Sequence, residues 1–338
     1  MRIITEQLTA TGTLTGYLLD ASPDMATATT RPAVLVLPGG GYEFCSDREA
    51  EPIAAAYLAE GFHAFVLRYA VGPDAPWEAS FADAGAALEW IRDHAHEVGV
   101  LPDQVAVVGF SAGGHLAASL GVAAPRRPNA LVLGYPVTMA EPGDPIGKRI
   151  LDIVGSVDAA MPPTFVFSTF ADSLVPVRHS TVLLTALAEN HVPFEAHIYL
   201  LGEHGLSLAK PLTANGRAAA VEPAVAGWLA DSVRFLQRVF DPFPVAGEGA
   251  SYAALQRRGV LGLDMPLGRL AAHPGALEVL RRHLGPPIDA VVANPFAAGL
   301  SLRELSAREP ALLPASLVDA LAADLASLSG GDAPGTGA

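Results

Sequence analysis

Five short apolar runs punctuate the first half of the chain: Ala33–Leu37 (AVLVL), Ala64–Leu67 (AFVL), Val105–Val108 (VAVV), Ala130–Tyr135 (ALVLGY) and Thr164–Phe167 (TFVF). Each is apolar throughout instead of at alternate positions, the pattern of a parallel strand buried on both faces. Helical spacing separates them. Phe81, Ala84, Leu88, Ile91, Ala95 and Val98 recur every three or four residues and predict one apolar stripe on a helix of about five turns. Pro176–Asn190 is a second predicted helix, and Phe194–Leu200 the strand after it. Such alternation implies right-handed crossovers and helices on both faces of a mostly parallel sheet. The predicted class is α/β.

The pattern changes at Asp241. Residues 241–251 (DPFPVAGEGAS) are rich in Pro and Gly, as a linker is, and only helices are suggested beyond them. Ser301 with Glu304 makes a capping box, and Leu317, Leu321, Leu325 and Leu328 form one stripe on a last helix. The expected division is an α/β domain over 1–240, a helical segment over 241–329 and a disordered tail over 330–338.

Composition narrows the function classes. Apolar residues make up 51% of the 338 and charged residues 17%, which excludes disorder for most of the length. The formal charge of −14 argues against nucleic acid and against an anionic membrane surface as partners. No run reaches 18 apolar residues, and the opening MRIITEQLTATGTLTG has no apolar core, so neither a membrane span nor a secretory signal is expected. A soluble, cytoplasmic protein is the expectation. One cysteine, Cys45, excludes an intrachain disulfide and a thiolate metal cluster. It is expected to be an inert small residue near the pocket edge.

The chemistry-bearing residues follow the predicted strands. Gly109-Phe110-Ser111-Ala112-Gly113 fits G-x-S-x-G, a pattern that chance alone yields roughly 0.2 times in a chain this rich in Gly. Its context is more specific: it lies between a strand and a helix, where a sharp elbow lifts the serine hydroxyl above the strand ends. The helix N-terminus there favours developing negative charge. A nucleophilic serine needs a base, and the base an orienting acid, in the chain order Ser, acid, His. Among ten histidines, His204 in the Gly-flanked LGEHG loop lies past the last strand, where ligands meet an open α/β sheet. Asp172 occupies the equivalent loop one strand earlier; an N-cap for the next helix is its other reading, and Asp144, Asp152 and Asp158 are rivals. Gly39-Gly40-Gly41 follows the first apolar run, so the N–H groups of Gly40 and Gly41, with that of Ala112, are candidate donors to an oxyanion. A phosphate loop is the competing reading, but the GK[ST] ending is missing. Tyr42 and Trp77 are candidate substrate-contacting walls of the pocket, with a place in the core as their other reading.

With these motifs in place the chain, from Pro32 to about Gly205, resembles the α/β-hydrolase esterases, the acetyl-xylan-esterase-like group in particular. The matching segments are LPGGGY (37–42), REAEPIA (48–54), GFSAGGHLA (109–117), GYPV (134–137), PPTF (162–165), ADSLVPV (171–177) and GEHGL (202–206). The resemblance implies an eight-stranded hydrolase sheet, no metal or other cofactor, and a triad of Ser111, His204 and Asp172. Many related esterases carry His where this chain has Pro38, although the Pro form also occurs in the group. The stretch 265–285 with 301–305 is similar to helical tails that end some bacterial glycoside hydrolases, pointing toward carbohydrate metabolism. Alternatively those helices cover an apolar surface of the main domain or of a second subunit, which would make a homo-oligomer.

The expected function is therefore hydrolysis of short-chain acyl esters on a small-molecule or oligosaccharide substrate, such as acetylated xylan fragments. A serine peptidase or amidase of the same fold, and a non-catalytic binding protein on this scaffold, are the alternatives. Only Val137–Pro163 is left to supply a crossover and any lid, and its first half is turn-like, so a shallow acyl site is expected.

Overall fold

The computed structural model describes residues 1–140, 148–243, 261–263, 265–308 and 313–328. The chain divides into two compact units, Met1–Gly249 and Ala250–Ala338.

The strands of the first unit are β1 (Arg2–Gln7), β2 (Thr13–Leu18), β3 (Arg31–Leu37) and β4 (His63–Arg68). They continue with β5 (Val100–Phe110), β6 (Ala130–Gly134), β7 (Thr164–Thr169) and β8 (Phe194–Tyr199). Together they make one eight-stranded sheet in the order β1-β2-β4-β3-β5-β6-β7-β8. The pairs β1–β2 and β2–β4 are antiparallel, and every other pair is parallel. Side-chain parity explains the continuous apolar runs. Ala33, Leu35 and Leu37 of β3 enter one core while Val34 and Val36 enter the other. Val105 and Val107 of β5 likewise oppose Ala106, Val108 and Phe110.

Helices cover both faces. The unit's helices are α1 (Glu51–Ala59), α2 (Trp77–Asp93), α3 (Ala95–Val98), α4 (Ala112–Ala123), α5 (Arg178–Glu189) and α6 (Trp228–Phe240). Leu88 and Ile91 of α2, Leu116 and Leu120 of α4, and Leu183 and Leu187 of α5 fill the first core. Ile53 and Tyr57 of α1 join Trp228 and Leu236 of α6 in the second. The long helix expected over 81–98 is broken at His94, and Gly99 ends the short α3 in a left-handed conformation. Ala95 and Val98 nevertheless stay buried, so the apolar stripe outlasts the helix that was to carry it. The β1–β2 hairpin has no counterpart in the apolar runs. Nearly all of β1 faces solvent, and β2 alternates buried and half-buried residues.

The second unit is helical: α7 (Leu267–Ala271), α8 (Pro274–Leu284), α9 (Pro287–Ala293), α10 (Pro295–Ala298), α11 (Leu302–Arg308) and α12 (Ala315–Leu328). The capping box is made: Glu304 N–H donates to Ser301 Oγ at 3.2 Å, and Ser301 N–H donates to Glu304 Oε2 at 2.8 Å. Leu321 and Leu325 are buried in one apolar cluster with Leu267, Leu270 and Leu280, with Leu317 and Leu328 packed at its margin. The leucine stripe thus finds cover within its own unit. Most of the linker-like stretch, and the tail over 330–338, lie outside the described residues. Among those described, no helix is long and apolar enough to cross a membrane.

Candidate active site

Ser111 sits between β5 and α4 with φ 54° and ψ −118°, a conformation that L-residues rarely adopt. Main-chain bonds hold it there: its N–H donates to the Gly134 carbonyl at 2.9 Å, and its own carbonyl accepts from the N–H of His115 at 3.0 Å. Steric crowding accounts for the flanking glycines. A Cβ on Gly109 would lie 2.1 Å from the Gly113 carbonyl oxygen, and one on Gly113 would lie 2.2 Å from that of Leu37. Neither backbone has room for a methyl group, so α4 approaches β3 and β5 only with glycine at both positions.

Two further loops at the same end of the sheet bring the partners in. Asp172 follows β7 and His204 follows β8. His204 Nε2 lies 2.8 Å from Ser111 Oγ, and His204 Nδ1 lies 2.7 Å from Asp172 Oδ2. The other carboxylate oxygen, Asp172 Oδ1, accepts the N–H groups of Leu174 at 3.0 Å and Val175 at 2.9 Å. Asp172 is not the N-cap of α5, which begins after Val177. Its side chain is 1% exposed and that of His204 is 15% exposed. The histidine loop is tied down from both sides. Thr169 Oγ1 donates to the Gly202 carbonyl, and the Trp228 indole N–H donates to that of Ser207 at 2.9 Å. Of the rival acids, Asp158 pairs with Arg127, Asp152 makes no contact with His204, and Asp144 lies outside the described residues.

The serine opens into a cleft of about 340 Å³ whose walls include Gly40, Gly41, Phe44, Arg48, Val137 and Leu174. Among the described residues, no acceptor takes the main-chain N–H of Gly40, Gly41 or Ala112. Gly40 and Gly41 share the cleft wall with Ser111, and Ala112 is the residue that follows the serine.

Tyr42 and Trp77 do not reach this cleft, a correction to the expectation from sequence. The Tyr42 backbone is left-handed, with φ 62°, and its side chain is fully buried, its hydroxyl 2.7 Å from His115 Nδ1. Burial holds the His115 imidazole down to about 4. Trp77 stacks on Phe81 and lines a separate hollow with Lys148 and Pro73. Cys45 packs against the main core and is not among the cleft residues, and burial raises its thiol above the ordinary range. In place of the two aromatics the cleft presents Phe44, Arg48, Glu49, Val137 and Leu174, none of which sequence reasoning singled out. Arg48 and Glu49 stand in the matched REAEPIA segment, the one signal that could have found them. Among the described residues, no group of His, Cys, Asp and Glu is arranged to hold a metal ion.

A serine–imidazole–carboxylate chain above the ends of a mostly parallel, helix-covered sheet defines the α/β-hydrolase fold. The family model described as BD-FAE matches residues 19–130. The structure of MGS-M1, an α/β hydrolase from a Medee basin deep-sea metagenome library, is 43% identical; the match covers 71% of this chain and 98% of that one, with a TM-score of 0.68. The carboxylesterase Cest-2923 from Lactobacillus plantarum is 28% identical over 72% of this chain and all of its own, with a TM-score of 0.66. An acetylxylan esterase from Xylanibacter ruminicola is 27% identical over 195 residues, 51% of this chain and 40% of that protein. The chain spans a quarter to a half of the length of the first curated relatives it matches. The chain belongs to the α/β-hydrolase family.

Proposed function

We propose that the protein hydrolyses carboxylic esters through a covalent acyl-enzyme, with Ser111 as nucleophile, His204 as general base and then acid, and Asp172 as the orienting carboxylate. One observation carries this reading: the continuous hydrogen-bonded chain from Ser111 Oγ through the imidazole to Asp172, at the mouth of an open cleft. Ser111 Oγ attacks the ester carbonyl carbon as His204 Nε2 takes its proton. The carbonyl π electrons move to oxygen, and the N–H groups of Gly40, Gly41 and Ala112 are the donors proposed for that oxyanion. Collapse expels the alkoxide, which leaves as the alcohol with the proton from His204. Water then attacks the acyl-enzyme by the same route, releasing the carboxylic acid and restoring Ser111.

The substrate proposed is a short acyl ester, an acetyl group on a sugar being the leading case. The acetylxylan esterase relative supports this choice, and so does the modest volume of the cleft, about 340 Å³, since a site for long chains adds an apolar tunnel for the acyl group. Each methylene buried in such a tunnel would contribute about 0.8 kcal/mol, so kcat/KM would climb severalfold per carbon. Measured on p-nitrophenyl esters from C2 to C12, kcat/KM is expected to peak at C2 to C4, and acetate is expected from acetylated xylooligosaccharides. A maximum at C8 or beyond would overturn the short-acyl assignment, and faster cleavage of the matching anilide would replace the esterase with an amidase.

A further inference from the structure

The carboxylate of Glu49 lies in the cleft wall, outside the serine–imidazole–carboxylate chain. It is 3% exposed and makes no ion pair among the described residues. Burying an unpaired carboxylate is costly unless hydrogen bonds offset it, and Glu49 receives two. Gly39 N–H donates to Oε2 at 2.9 Å, and the Tyr135 hydroxyl donates to Oε1 at 2.6 Å. Burial and the neighbouring carboxylate push the Tyr135 hydroxyl well above its usual range, so it keeps the proton it donates. That hydroxyl in turn accepts the Ser207 N–H at 2.9 Å, three residues beyond His204. The Tyr135 ring meets the His204 ring edge-on, with centroids 5.1 Å apart. Next door, the Arg48 carbonyl accepts from Ser207 Oγ, and the Arg48 guanidinium donates to the Gly205 carbonyl. One short turn, Arg48-Glu49, therefore bonds the glycine loop on one side and the histidine loop on the other.

We infer that Glu49 is a positioning residue for the oxyanion site, its carboxylate fixing the glycine loop in register with the histidine loop. The inference rests on the reading of Ser111, His204 and the loop N–H groups proposed above. Gly39 immediately precedes the two proposed loop donors, and its own N–H is taken by Glu49. The orientation of the peptides that follow is thus set from the carboxylate. Clearance is small: a Cβ on Gly39 would lie 2.7 Å from Glu49 Oε2 and 3.1 Å from Ser111 Cβ, so the loop threads between the carboxylate and the serine. Both neighbours donate into Glu49, which suits a carboxylate. An amide at this position has a single acceptor oxygen and must turn its NH2 toward one of those donors.

The test compares Glu49→Gln, Tyr135→Phe and Ser111→Ala with the full-length wild type on p-nitrophenyl acetate, alongside inhibition by a trifluoromethyl ketone, whose adduct oxygen occupies the oxyanion position. Glu49→Gln is expected to lower kcat about 10- to 100-fold with KM within about twofold, and to weaken the ketone by the same factor as kcat/KM. A residue that served folding alone would shift the melting temperature and leave the folded fraction with normal kcat and normal ketone affinity. That result overturns the inference, as does a rise in KM at unchanged kcat. Should Glu49→Gln fail to fold, Tyr135→Phe keeps the ring and removes one of the two bonds; a drop of about tenfold in kcat alone is expected, and normal kcat refutes. An inactive Ser111→Ala beside a fully active Glu49→Gln sinks this inference only, whereas an active Ser111→Ala sinks the parent reading and this one with it.

Discussion

Replacing Asp172 by Asn changes one atom, and the surroundings dictate how the amide must lie. Asp172 Oδ1 accepts two main-chain N–H groups, from Leu174 and Val175, at 3.0 and 2.9 Å. An NH2 group there would face two donors at once, so the amide oxygen takes that side and the NH2 is turned toward His204 Nδ1, now 2.7 Å from Oδ2. Nδ1 must then act as acceptor, which puts the imidazole proton on Nε2, pointing at Ser111 Oγ. A histidine in that tautomer cannot take the serine proton. In a serine protease triad the same Asp→Asn change lowers kcat by about 10⁴, and a loss of that order, about 5 kcal/mol of transition-state stabilisation, is expected here. The two bonds to Leu174 and Val175 survive, so the melting temperature should stay within a few degrees of wild type. Initial rates on p-nitrophenyl acetate, normalised to protein shown folded by circular dichroism, measure the effect. A loss smaller than tenfold would refute the argument, since it would mean that the imidazole does not depend on this carboxylate for its tautomer.

Two more predictions concern stability. Burial holds His63 and His115 down to about 4, so in the unfolded chain each gains a proton near pH 6.5 that the folded state refuses. Their contribution is present above pH 6.5 and is lost as pH falls toward 4, by up to about 3 kcal/mol each; a urea midpoint unchanged between pH 7 and 4.5 would contradict this. Gly113→Ala puts a methyl group 2.2 Å from a main-chain oxygen and should cost about 3 kcal/mol or more, whereas Gly85, in α2 with open space around it, should gain about 0.5–1 kcal/mol on change to Ala. Equal urea midpoints for the two variants would show that the elbow yields more readily than its packing implies.

Much of this architecture is legible because a strand buried on both faces has no alternative to a continuous apolar run. β3 to β7 announce themselves in that way, and the loops after them locate Ser111, Asp172 and Gly40. The β1–β2 hairpin escapes because solvent covers most of β1 (RIITEQ) and β2 (TLTGYL) buries only alternate residues, so neither reads as a continuous apolar run. Site walls are harder for a different reason. Side-chain direction in a turn depends on backbone dihedrals that composition does not reveal. At Tyr42 a left-handed backbone sends the ring into the core, and Phe44, two residues later, takes the cleft position. Glu49 is illegible in the same sense: a glutamate beside an arginine reads as a solvated pair, and only the fold shows two donors converging on it.

The cleft walls share backbone with the groups proposed to do the chemistry. Phe44 ends the turn that begins at Gly40, its N–H bonded to the Gly40 carbonyl. The Leu174 N–H is one of the two that hold Asp172, and the Val137 N–H donates to the Ser111 carbonyl. Inserting or deleting a residue in any of these segments would displace a reacting group together with the wall. Exchanging one side chain for another would leave every one of those main-chain bonds in place. Reshaping of the cleft is therefore tolerated as a change of side-chain size at positions 44, 137 and 174, and not as a change of loop length. A directed-evolution library should accordingly randomise those three positions and hold the lengths constant.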